Sequence, residues 1–175
     1  MTIGMAAQNM LWLTSPVAVY ALVLRWRAKI GVVDIVRRLG LPVGDLRLYP
    51  ISIAISLLMG ALSVWMSSRT SDFKGSMIAP CVGVPPTWEN IIGVFAYGTL
   101  ATGFPEELLF RGLIAGACFR RQSFWKANFI QAGIFTLPHL LILLVAPSLW
   151  ALAICAPMGL GLIMGWLRHS SGSIW

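Results

Sequence analysis

Charge is what this sequence has least of. Thirteen basic and six acidic residues make up 11% of the 175, against 58% hydrophobic residues. A soluble domain carries about 25% charged residues, so a fold with water on all sides is excluded. With a mean hydropathy of +0.80 the composition is that of an integral membrane protein. Cysteine is scarce too: Cys81, Cys118 and Cys155 are widely spaced, with no CxxC and no Cys/His cluster. A disulfide framework and a zinc finger are therefore excluded, and the three read as small apolar packing residues. HExxH is absent. The net charge of +7 could suggest nucleic acid. The basic residues, however, flank apolar runs instead of forming a stripe with interleaved aromatics, so no nucleic-acid partner is expected. No internal repeat or low-complexity segment occurs.

What is present is a series of apolar runs. Residues 1–24 carry no charge, and without a basic n-region they read as a first membrane helix at about 8–24, not as a signal peptide. Arg25, Arg27, Lys29, Arg37, Arg38 and Arg47 then place the following segment on the cytoplasmic side. Within it, Val32–Leu39 has the pattern of a short interfacial helix, ended by Gly40 and Pro42. A second span covers 48–68. Residues 69–89, with Arg69, Asp72, Lys74, Glu89 and three prolines, read as an external loop. A third span, 90–119, is longer than the ~20 residues a crossing needs. Gly103 and Pro105 are expected to break it, leaving Glu106 and Glu107 in the first turn of a fresh helix. After Arg120, Arg121 and Lys126, two more spans cover 127–145 and 149–167, divided by Pro147 and returning to the cytoplasm at Arg168. The expectation is an all-α, polytopic helix bundle: one integral-membrane domain over 1–175 with five crossings. Gly112/Gly116 and Gly161/Gly165 are small-xxx-small pairs that let helices approach closely. Trp12, Trp26, Trp65, Trp88, Trp150 and Trp166 fall near span ends, as interfacial aromatics do.

Into this apolar chain, Thr102–Gly112 introduces Glu106, Glu107 and Arg111. Ionisable groups at such depth are costly, so they are paired, buried in protein and functional. At about 100° per residue, Glu107 and Arg111 lie about 40° apart and can pair, whereas Glu106 points about 140° away from Arg111. One carboxylate has a partner; the other is left for chemistry. Between Lys126 and Arg168 the only ionisable side chain is His139. Glu106 and Glu107 precede Arg120 by 14 and 13 residues, and His139 follows Lys126 by 13. Each is thus roughly 20 Å along its helix from the cytoplasmic charges, well inside a core ~30 Å thick. Phe135 lies one turn before His139, and Pro138 frees a backbone carbonyl beside it, favouring a water-filled cavity.

A carboxylate, an imidazole and enclosed water are the parts that activate water against a carbonyl. The alternative is a divalent metal, such as zinc, held by Glu106 and His139, although zinc takes three or four protein ligands. Blander roles stand beside these. Acidic residues after a proline can cap a helix N-terminus, Glu107–Arg111 alone is a helix-stabilising pair, and an intramembrane His or Phe is often simply packed. His169, next to Arg168 at a cytoplasmic helix end, reads as solvated.

At these residues the chain resembles the CPBP family of intramembrane proteases, which includes type II CAAX prenyl endopeptidases and bacteriocin-processing relatives. Glu106-Glu107-Leu-Leu-Phe-Arg111 matches its EExxxR motif and Phe135-Thr-Leu-Pro-His139 its FxxxH motif; the likeness covers about 90–175. The resemblance implies that Glu106 is the general base, that His139 assists at the catalytic centre, and that Glu107 and Arg111 form a supporting pair. It implies an endopeptidase acting near a membrane-embedded or lipid-linked segment of a peptide or membrane-protein substrate, by a metal-free or metalloprotease mechanism. The family's third motif, a His followed four residues later by Asn, would lie beyond Trp175, so the protease unit is expected to be incomplete at its C-terminus. Two other readings are a non-catalytic binding protein using the same cavity, and a small proton-coupled carrier. The compact length points to a bacterial inner membrane.

Overall fold

A computed structural model describes residues 3–67, 85 and 87–175. Residues 69–84 of the expected external loop (69–89), with Arg69, Asp72, Lys74 and Cys81, lie outside the described residues, while Trp88 and Glu89 already belong to a helix. Helix α1 (Ile3–Trp26) is followed by the short α2 (Val32–Arg38), a 3₁₀ turn at Leu46–Leu48 and α3 (Tyr49–Ser67). One helical run then extends over 88–119. It comprises α4 (Trp88–Ala96), a π-helical stretch (Tyr97–Gly103), α5 (Phe104–Glu106), a second π stretch (Glu107–Ala115) and α6 (Gly116–Phe119). Helix α7 (Phe124–Thr136) continues through a 3₁₀ segment (Leu137–Leu141) into α8 (Ile142–Val145). After a further 3₁₀ turn at Pro147–Leu149, α9 (Trp150–Ser171) completes the order, with no strand among the described residues. Three of these stretches are long and apolar enough to cross a membrane: Ala6–Trp26, Phe124–Leu144 and Pro147–Ser171. The other two expected spans are helical as well, as α3 and the 88–119 run. The protein is an all-α integral membrane bundle. Its outer surface is apolar, with Leu57 70% and Leu144 81% exposed, as suits side chains whose solvent is lipid.

Residues 88–119 correct one expectation: the chain does not break at Gly103 and Pro105. Pro105 has no N–H to give to the carbonyl of Ala101, four residues back, and a regular α-helix would press its ring against that carbonyl. The backbone absorbs the misfit by widening into π turns on either side of α5. Asn9 of α1 donates its amide N–H to the Ala101 oxygen at 3.0 Å, so a neighbouring helix supplies the bond that Pro105 cannot.

Two contacts fix this run. On one side Val17 of α1 and Ile35 and Leu39 of the α2 region form a buried cluster against Leu108, Leu109 and Leu113. Gly112 and Gly116 matter here: a Cβ would meet the Leu39 oxygen at 2.9 Å and the Arg38 oxygen at 3.0 Å. This glycine pair therefore admits the backbone end of α2, not a second membrane helix. The other pair does join two helices, since a Cβ at Gly161 would touch Ala132 at 3.0 Å. Between α7 and α9, the Gln131 amide donates to Asn128 Oδ1 (2.9 Å) and to the Gly161 oxygen (2.7 Å). Asn128 in turn donates to the Leu162 oxygen at 3.0 Å. Both amides are completely enclosed, and in an apolar surround such bonds hold helices together.

A Cβ at Gly165 would collide with Asn128 Oδ1 and Gln131 Nε2. Gly165→Val is therefore expected to sever these bonds and lower stability by about 3 kcal/mol. Gly133→Ala, where a Cβ meets nothing, should be neutral or slightly stabilising. Unfolding in detergent micelles distinguishes them, and equal melting of the two variants would contradict the lock.

Candidate active site

Glu106 ends α5 and Glu107 opens the second π stretch, so both acids sit where the helix changes its winding. Arg111 is one turn on and only 1% exposed. Its Nη1 stands 3.3 Å from Glu107 Oε1, so the pair expected from i, i+4 spacing forms. The approach is that of an ion pair without an aligned hydrogen bond; Nε and Nη2 of Arg111 likewise have no hydrogen-bond partner among the described residues. The guanidinium instead lies over the ring of Phe135, 4.1 Å from its centroid, a cation–π contact. Phe110 meets the same ring edge-on at 5.0 Å.

Phe135 links the two motifs. Its other neighbour is the His139 imidazole, 4.9 Å between centroids and tilted by 57°. Pro138 begins the tighter 3₁₀ winding that carries His139. There the Phe135 oxygen lies 2.9 Å from His139 Nδ1. A carbonyl only accepts, so Nδ1 carries the proton and donates. The bond fixes the ring with its Nδ1 proton engaged and leaves Nε2 without a hydrogen bond among the described residues. The structure thus brings Glu107, Arg111, Phe135 and His139 into one contiguous set across the second π stretch, α7 and the 3₁₀ segment that follows it.

Glu106 is half-buried and has no ion-pair or hydrogen-bond partner among the described residues. A π turn bonds residues five apart, so a wheel drawn at 100° per residue does not carry across the stretch that begins at Glu107. No group of three His, Cys, Asp or Glu side chains converges among the described residues. Glu106 and His139 alone fall short of the three protein ligands a catalytic zinc takes, so the donors among the described residues do not complete such a site and no step is routed through a metal.

Residues 88–175 match the family model for the Rce1-like type II CAAX prenyl endopeptidases. The match covers half of the chain and both motif segments. The chain belongs to this family. No curated protein and no solved structure matches it. Membership in the Rce1-like family makes the general class that of a CAAX-type intramembrane protease, a hydrolase working in the bilayer.

Several residues near the site escaped the sequence reading. Asn9 was one amide in an uncharged helix, yet it meets the carbonyl freed by Pro105. Asn128 and Gln131 carried a signal, two amides at i, i+3 in an apolar run, which a search for ionisable groups alone passes over. Phe104 stacks on Trp175 at 5.4 Å, two residues before Glu106, and nothing in their separate positions indicated it.

Proposed function

We propose that this protein is an intramembrane endopeptidase that hydrolyses a peptide bond near a membrane-embedded or lipid-linked segment, with Glu106 as the base that activates water. The observation that carries the reading is the division of labour between adjacent carboxylates: Glu107 is committed to Arg111 at 3.3 Å, while Glu106 has no such partner. Arg111 is locked in turn by Phe135, whose carbonyl orients His139. In the reaction a water gives a proton to Glu106 as its oxygen attacks the scissile carbonyl carbon, forming a C–O bond and a tetrahedral oxyanion. His139 Nε2 accepts a hydrogen bond from that water and fixes its orientation. Collapse of the intermediate breaks the C–N bond, and Glu106 returns its proton to the leaving amine. The Glu107–Arg111 pair holds the helix around the base; its role is positioning. The substrate is a peptide or membrane protein in the same bilayer, and the setting is a bacterial inner membrane. A metal-free mechanism is the one the donor set favours.

The test is cleavage of a quenched fluorescent peptide by protein reconstituted in vesicles. A lipid-linked reporter should be cut, and the same peptide without its lipid should be cut far more slowly. His139→Ala should lower kcat by about 10²-fold, as loss of a positioned acid–base group does. Equal rates for the two reporters, or full activity in His139→Ala, would overturn the reading.

A further inference from the structure

At the cytoplasmic ends of α6 and α9 the fold gathers positive charge that the protease reading leaves unused. A cavity of about 340 Å³ is lined by Arg37, Arg38, Arg120, Arg168, His169 and Phe119, together with Gly116. No carboxylate lines it. The only acid paired with any of these side chains among the described residues is Asp34, 3.9 Å from Arg37 with both ends largely in solvent. Such an exposed pair is worth little and leaves Arg37 able to serve another anion.

The cavity is built, not a chance meeting of mobile side chains. Arg168 donates from Nε to the Arg111 oxygen (3.3 Å) and from Nη2 to the Arg38 oxygen (3.4 Å). Arg120 donates from Nη1 to the same Arg38 oxygen (3.4 Å) and from Nη2 to the Tyr20 hydroxyl (2.9 Å). Neutral acceptors orient both guanidinium groups without cancelling their charge. Each guanidinium has five N–H donors, so most remain unspent. Gly116 keeps the floor open, since a Cβ there would meet Arg120 Nη1 at 3.3 Å. The wall is aromatic: His169 packs against Phe119 at 5.0 Å and Phe124 at 4.8 Å.

The depth of the cavity selects its ligand. Trp26, Trp125 and Trp166 are exposed at the ends of α1, α7 and α9 nearest to it, the level of the headgroups. Val32 and Val33 of α2, beside Arg37 and Arg38, are exposed at 63% and 62%, apolar surface suited to acyl chains. A basic pocket between membrane helices on the cytoplasmic side fits an anionic headgroup. We propose that Arg37, Arg38, Arg120 and Arg168 form a binding site for the phosphate of an anionic phospholipid from the surrounding bilayer.

The test uses the whole protein in phosphatidylcholine nanodiscs, with phosphatidylglycerol titrated in and retained lipid counted by native mass spectrometry. Arg120 and Arg168 hold backbone carbonyls and are left intact. The Arg37→Gln/Arg38→Gln double variant should weaken phosphatidylglycerol retention by about 25-fold, fivefold for each cation. Lysine at both positions should restore most of it. Arg25→Gln/Arg27→Gln removes the same charge from the same face outside the cavity and should change retention by less than about threefold. Equal losses in the two double variants would mean diffuse surface attraction and overturn the site. Displacement of the lipid by soluble glycerol 3-phosphate at equal concentration would overturn the lipid as its occupant.

Discussion

Glu106→Gln is expected to remove between about 10² and 10⁴ of the hydrolytic rate while leaving the protein as stable as the parent. The rate loss follows from the role: a side chain that takes a proton from water and returns it to the amine is worth that much, and glutamine can do neither. The unchanged stability follows from the surroundings. Glu106 forms no ion pair among the described residues, so neutralising it breaks none, and Arg111 keeps its partner Glu107. Glu107→Gln, one residue on, should differ in its effect on stability. It leaves the buried Arg111 without its carboxylate, so stability falls, and activity falls with it because the π stretch carrying Glu106 loosens. Melting in micelles and initial rates in vesicles, measured on both variants, give a two-by-two pattern. The account fails if the two glutamines cannot be told apart.

Arg111→Met is the most damaging single change to the fold of the site. Removing one member of a buried ion pair costs about 3–5 kcal/mol because the other charge is left unpaired in a poor dielectric. Glu107 keeps a 24% exposed side chain, which places the loss near the lower end, about 3 kcal/mol. Loss of the guanidinium over Phe135 adds about 1 kcal/mol. The companion Glu107→Gln/Arg111→Met variant has no stranded charge, so it should recover all but about 1 kcal/mol. A double as unstable as the single would show that Arg111 acts by filling space and not by pairing.

The membrane class, the helical spans and the Glu107–Arg111 pair could be read from composition and spacing, because each rests on a local rule. Few charges imply lipid, apolar runs of about 20 residues imply crossings, and i, i+4 spacing implies the Glu107–Arg111 pair. The response of residues 97–115 to Pro105 could not. A proline in a helix can break, kink or widen it, and the choice depends on whether a neighbour can satisfy the freed carbonyl; here that neighbour is Asn9, 92 residues away from Ala101. The facing of Glu106 was not legible for the same reason, since a wheel drawn at 100° per residue does not apply across π turns. The destination of Gly112 and Gly116 was also hidden. Small-xxx-small spacing announces a close approach without naming the partner, and α2 became the partner only through the turn after Trp26. His139 is the reverse case: its packing against Phe135 was legible from i, i+4 spacing, but its tautomer depended on a carbonyl that only the 3₁₀ winding after Pro138 presents.

The most direct test of the central claim is the origin of the oxygen in the product. The whole protein, reconstituted in vesicles with a lipid-linked peptide, is allowed a single turnover in water enriched in oxygen-18, and the fragments are weighed. The account predicts one heavy oxygen in the new carboxylate, formed by the parent protein and reduced at least about 100-fold in Glu106→Gln. A labelled fragment appearing as fast from Glu106→Gln, or no fragment from the parent, would contradict it.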